Sequence, residues 1–261
     1  LIIKFVHPIL MNYTKIPTGP QKIHNGLIPR LGGLSIFICL SIICIFDIPH
    51  NNLNLNTYLI ISLPLFLLGI IEDITQSVKP IIRLFGALLS SFIFIIVFDV
   101  FIKKVDVYWI DLILNYKQFA ILITIICLVV LTQAFNIIDG LNGLSLMSGI
   151  VCLSLLAFLA EEFGDNQNFS LSIILIITLF GILLFNFLGK IFIGDSGAYI
   201  IGLFVGMLSI NLVESNSEII PLAIVYILIY PIYEIIRTVF RRFIQNKNIL
   251  LPDKKHLHSL L

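Results

Sequence analysis

Apolar runs of nearly constant length recur along this chain, and no other feature limits its folding so tightly. They fall at 31–48, 57–71, 81–98, 118–135, 144–160, 171–188, 197–213 and 219–236. Most hold 17 or 18 residues, and at about 1.5 Å per residue a helix of that length just covers a hydrocarbon core of about 30 Å. Of the 261 residues, 59% are hydrophobic and 12% charged, against about half and a quarter in soluble domains. One soluble core could not enclose so much apolar surface. The expected fold is all-α: a polytopic transmembrane helical bundle of about eight full spans, forming one integral-membrane domain over 1–261. The stretch from Leu1 to Met11 reads as the tail of a further, truncated helix, and the chain is expected to be cut short at its C-terminus as well. Pro64 makes the 57–71 run the least regular, and Pro221 with Pro231 predicts a kink in the last one.

The basic residues orient the bundle. Alternate connections are 12–30, 72–80, 136–143, 189–196 and 237–261 on one side, and 49–56, 99–117, 161–170 and 214–218 on the other. Counting Arg83, just inside its run, the first set holds twelve lysines and arginines and the second only Lys103, Lys104 and Lys117. That imbalance places the first set in the cytoplasm. Trp109, in the 99–117 connection, suits the headgroup level on the opposite side. The formal net charge of +1 offers nothing to a nucleic-acid partner. Cys39, Cys44, Cys127 and Cys152 lie inside apolar runs without metal-ligand spacing and read as small apolar fillers.

Unusual polar groups then collect on one face. Lys22, His24 and Arg30 precede the first full run; Glu72-Asp73 end the next; Asn136 and Asp139 end another. Gly194-Asp195-Ser196-Gly197 stand between two more, and His256 and His258 close the chain. Each acid by itself reads as a helix-end residue. Arg241 and Arg242 read as a positive stop, and the histidine pair as an exposed tail. Together they describe a site: clustered carboxylates call for a cation, and oxygen-only ligands suit Mg²⁺, with Mn²⁺ as an alternative. Opposing basic side chains, including Arg241, would take phosphate oxygens. Glycines at 32, 33, 140, 143, 194 and 197 would let backbone amides approach a phosphate. Carboxylate-bound cation against basic residues is a layout for phosphoryl transfer.

Five segments in this order resemble the polyprenyl-phosphate N-acetylhexosamine-1-phosphate transferase family, glycosyltransferase family 4. They are Gly19 to His24 with Pro29-Arg30-Leu31-Gly32-Gly33, Gly69 to Asp73, Asn136 to Leu144, Gly194 to Gly197, and His256-Leu257-His258. The resemblance implies a multi-pass enzyme of the bacterial inner membrane with its catalytic loops in the cytoplasm. Its reaction moves a sugar 1-phosphate from a UDP-amino sugar to polyprenyl phosphate and releases UMP, at the start of a cell-envelope polysaccharide. Partners would be the polyprenyl phosphate lipid, the UDP-sugar and the bilayer, and a homodimer is compatible. On this resemblance Asp195 leads the Mg²⁺ ligands with Asp139 beside it. Asp73 serves the lipid phosphate as base or positioning group, and Glu72 ranks below it because many members carry Asp-Asp there. Asn136 and Asp139 face the nucleotide, and His256 and His258 hold the diphosphate or the sugar, though Ser259 stands where a further histidine is usual. Lys22, His24 and Arg30 mark the nucleotide-sugar class.

A secondary transporter is the alternative from another class. It would carry ionisable groups near the midplane of broken helices, whereas these runs are nearly free of charge apart from Glu234.

Overall fold

The computed structural model describes residues 28–46 and 54–245. These form ten helices: α1 (Gly32–Ile45), α2 (Leu55–Thr75), α3 (Pro80–Phe98), α4 (Tyr108–Leu114), α5 (Lys117–Ile138), α6 (Leu144–Glu162), α7 (Asn166–Phe187), α8 (Gly194–Ser215), α9 (Pro221–Ile227) and α10 (Ile229–Ile244). Lys22, His24, His256 and His258 lie outside the described residues. The eight apolar runs each become helix, but not eight equal spans. Helices α2, α3, α5, α6, α7 and α8 are long and apolar enough to cross a bilayer; α1 has only 14 described residues; and α9 with α10 forms one pair bent by 72°.

Two boundaries differ from the sequence reading for local reasons. Helix α2 runs through Pro64 and on to Thr75, past the expected end at 71, so Glu72 and Asp73 ride on its last turn, at the helix end where the sequence put them. The final run breaks at Leu228, while Pro221 and Pro231 sit in the first turns of α9 and α10. There a ring without an N–H costs no hydrogen bond. The 99–117 connection also carries a short helix, α4, on which Trp109 is 73% exposed.

Helix α8 is the axis. Of its 22 residues, 17 are buried, and α1, α2, α3, α5, α6 and α7 all pack against it. Small residues make that possible. Ala198, Gly202 and Gly206 repeat every fourth position, and Gly202 and Gly206 face α5. A Cβ added to Gly202 would lie 2.8 Å from the Thr132 Cα and 2.9 Å from the Leu131 carbonyl oxygen. Close backbone approach of this kind is how helices associate where lipid is as apolar as leucine.

The outer surface has the opposite character. Ile60, Phe85, Ile96, Phe158, Ile177, Phe180 and many other large apolar side chains face outward, as lipid contact requires. Two buried hydroxyls return to their own helix: Thr124 Oγ1 donates to Ala120 O and Ser91 Oγ to Ala87 O, each at 2.8 Å. Helix α10 is turned inside out, burying Glu234, Thr238 and Arg242 while exposing Ile236, Phe240 and Phe243. At one end of the bundle, Asp165 caps α7 by accepting from Asn168 N at 3.0 Å, and it also accepts from Ser215 Oγ at 3.2 Å at the end of α8.

Candidate active site at the other end of the bundle

Where α8 begins, several of the polar groups singled out above converge. The Pro29–Gly33 segment runs alongside residues 192–193 as a short parallel pairing: Phe192 N donates to Pro29 O, Gly32 N to Phe192 O and Gly33 N to Ile193 O, each at 2.9 Å. This is the sole β-type bridge among the described residues. It fastens the Pro-Arg-Leu-Gly-Gly segment to the Gly-Asp-Ser-Gly segment.

The glycines do work other than the one expected of them. A Cβ on Gly33 would fall 2.3 Å from Gly197 N, and one on Gly69 would fall 2.5 Å from Ser196 Cα. They let α1 and α2 press onto the first turn of α8. The expectation that Gly32, Gly33 and Gly197 admit a phosphate is therefore corrected, because protein backbone fills that space. Gly194 has φ +74 and would bring a Cβ within 2.6 Å of both Asp73 oxygens.

Asp73 is 4% exposed. Its Oδ1 accepts from Asp195 N at 2.7 Å, and its Oδ2 accepts from Ser196 N at 3.0 Å and from Ser196 Oγ. These N–H groups belong to the first turn of a helix, where no intrahelical partner exists. A carboxylate there also complements the positive end of the helix dipole. Asp73 thus caps α8 from a different helix. Glu72 points elsewhere: its Oε2 accepts from Val78 N at 2.8 Å, closing the connection to α3.

Asp195 sits one residue into α8 and pairs with the Arg83 guanidinium, which is also 3.8 Å from Glu72 Oε1. Arg83 entered the sequence argument only as a positive-inside charge. A charge one turn inside an apolar run was the signal that it had a partner. Asn136 lies on the last turn of α5, and its Nδ2 donates to Tyr199 Oη at 3.2 Å, tying α5 to the second turn of α8. Tyr199 had no sequence signal as a site residue, and Ser196 entered only as part of the Gly194–Gly197 segment; the packing gives both their partners.

Asp139 follows the end of α5. Its carboxyl is pushed well above the ordinary range, first by enclosure and then by the negative charges of Asp195 and Asp73, with Arg30 opposing. Asp195, Asp73 and Arg30 are thus the charges that act on Asp139. Arg241 is half-buried on α10, the helix that packs on α5.

The donor set fits a divalent cation. Among the described residues no three His, Cys, Asp or Glu side chains form a ready-made cage. Mg²⁺ does not need one, since it binds through one or two carboxylates and fills the rest with water and substrate phosphates. Asp195 and Asp139 offer hard oxygens. The positive charge of Arg83 already sits on Asp195.

Residues 55–213 match the model of glycosyl transferase family 4, more than half of the chain. A relative from Bacillus subtilis (strain 168), the probable undecaprenyl-phosphate N-acetylglucosaminyl 1-phosphate transferase, is 29% identical over 253 residues, covering 92% of this chain and 67% of its own. The undecaprenyl-phosphate alpha-N-acetylglucosaminyl 1-phosphate transferase of Thermotoga maritima is 28% identical over 92% of this chain and 70% of its own. Its namesake from Escherichia coli (strain K12) is 26% identical over 92% and 67%.

Proposed function

The chain belongs to glycosyl transferase family 4, and on that premise we propose that it transfers an N-acetylhexosamine 1-phosphate from a UDP-linked amino sugar to polyprenyl phosphate. The names of its relatives make undecaprenyl phosphate the first acceptor and UDP-N-acetylglucosamine the first donor to test. An oxygen of the lipid phosphate attacks the sugar-proximal phosphorus. The bond from that phosphorus to the oxygen of the nucleotide phosphate breaks, and UMP leaves with the electron pair.

The observation that carries this reading is the meeting of Arg30, Asp73, Arg83, Asn136, Asp139 and Asp195 at one end of a bundle with an apolar exterior. A water-soluble nucleotide sugar and a lipid-borne phosphate can both reach such a place. Asp195 and Asp139 would hold Mg²⁺, whose charge neutralises the diphosphate as it separates. Asp73 acts as a positioning group, since α8 already takes three of its acceptor directions. Asn136, steadied by Tyr199, and Asp139 face the nucleotide. Lys22, His24, Arg30, Arg241, His256 and His258 supply the surrounding donors for phosphate and sugar. A phosphate monoester is already largely a dianion at neutral pH, so positioning and charge neutralisation carry the rate more than a strong base does.

The site end is assigned to the cytoplasm of a bacterial plasma membrane, and the product begins a cell-envelope polysaccharide. Purified protein, undecaprenyl phosphate, Mg²⁺ and a panel of UDP-sugars provide the test. UMP release matched by a polyprenyl-diphospho-sugar of the right mass is the expected result. No lipid-linked product from any UDP-amino sugar would overturn the reading.

A further inference from the structure

Arg83 pairs with the acid read above as the leading cation ligand. It stands in the first turn of α3, and its Nη1 pairs with Asp195 Oδ2 and lies 3.8 Å from Glu72 Oε1. All three side chains are mostly enclosed, 15%, 17% and 15% exposed for Arg83, Asp195 and Glu72. The Arg83 Nε is buried without a hydrogen-bond partner. A guanidinium has five donors in a planar fork and matches a carboxylate or a phosphate through two of them. Here one arm is used, and another donor has nothing to bond to. That is an incomplete fit for a purely structural ion pair.

Charge points the same way: Glu72 and Asp195 share the one guanidinium of Arg83. A divalent cation and a guanidinium repel, so a cation arriving at Asp195 weakens the hold of Arg83 there.

We propose that Arg83 is a built-in stand-in for the cation: it neutralises Asp195 until a divalent ion binds, then releases it and turns its fork to a phosphate of the nucleotide sugar. This rests on the reading of Asp195 as a cation ligand. Release leaves Arg83 beside the reacting diphosphate with all its donors free. Loading of the cation and engagement of the diphosphate are thereby coupled through one side chain. The coupling also keeps Asp195 from standing uncompensated in a poorly solvated site.

Purified protein in detergent and Mn²⁺ alone, followed by electron paramagnetic resonance without nucleotide, provide the first measurement. Arg83→Gln removes the competing charge and should tighten Mn²⁺ binding by about tenfold, the scale of one partly buried charge pair. Its transfer activity at saturating cation should fall by at least about tenfold, the effect of losing one charge-assisted contact to a phosphate. Mn²⁺ affinity that is unchanged or weaker in Arg83→Gln overturns the proposal. Asp195→Asn separates this from the underlying reading: if that variant still binds Mn²⁺ like the wild type, Asp195 is not the ligand. A second measurement uses the unaltered protein and does not depend on the variant folding. Phenylglyoxal modification of Arg83, mapped by peptide mass spectrometry, should rise when Mg²⁺ is added and drop again when UMP follows. Reactivity at Arg83 that ignores Mg²⁺ also overturns the proposal.

Discussion

Asp73 and Asp195 are both carboxylates at helix ends, and the structure gives them opposite tasks. Asp73 accepts from the backbone that Asp195 belongs to, while the Asp195 side chain pairs with Arg83. Asn at position 73 keeps the shape but puts an NH₂ where Ser196 N or Asp195 N must donate. Asp73→Asn should therefore cost about 1–2 kcal/mol, the scale of a lost helix cap. It should also weaken Mn²⁺ binding and turnover, because the Asp195 backbone is no longer pinned. Thermal unfolding and Mn²⁺ titration of the purified variant check this. A variant that melts and binds Mn²⁺ like the wild type, yet transfers nothing, would restore Asp73 to the role of base. Asp195→Asn, by contrast, should keep its melting temperature within a few degrees and lose turnover by orders of magnitude.

At the scale of elements, the site depends on how closely α1 and α2 approach the start of α8. Gly69 is the tightest point on α2, since an added Cβ would meet the Ser196 Cα at 2.5 Å and its N at 2.9 Å. Backbone atoms cannot step aside as a side-chain tip can. Gly69→Ala should destabilise by about 1–3 kcal/mol, as overpacking does, and should lower turnover by moving Ser196 and Asp195. Gly181→Ala on α7 serves as control, because a Cβ there meets nothing within 4 Å and alanine favours the helix. Equal melting temperatures for the two variants would mean that the α2–α8 contact is not a constraint. The same contact explains why short, glycine-bearing segments far apart in the chain belong to one site.

For the whole molecule, the question is which end faces which compartment. The lysine and arginine distribution predicts that the α8 start faces inside, and the structure places Lys190 at that end and Asp106, beside the exposed α4, in the connection on the other side. Cysteines introduced at these two positions should label oppositely in intact cells: Asp106→Cys with an impermeant thiol reagent, Lys190→Cys only after the membrane is opened. The native Cys152 is buried, and Cys127 lies on a membrane-spanning face of α5. Both positions labelling from one side would overturn the topology. The bent α9–α10 pair completes the exterior by keeping Glu234 and Arg237 together at 3.6 Å on its inner face and presenting apolar side chains outward.

What the amino-acid order determined is the membrane-embedded all-helical class, the position of nearly every helix, and the gathering of Arg30, Asp73, Asn136, Asp139 and Asp195 on one face. Those follow from periodic apolarity, chain alternation and charge placement, which act locally. Tertiary structure decided what each polar group touches. Asp73 turned to the backbone of α8, the glycines became points of helix contact, and Arg83 left the tally of surface charges to sit on Asp195. None of these is visible along the chain, because each arises from two segments brought within a few ångströms by packing around a single buried helix, and distance along the sequence carries no record of that.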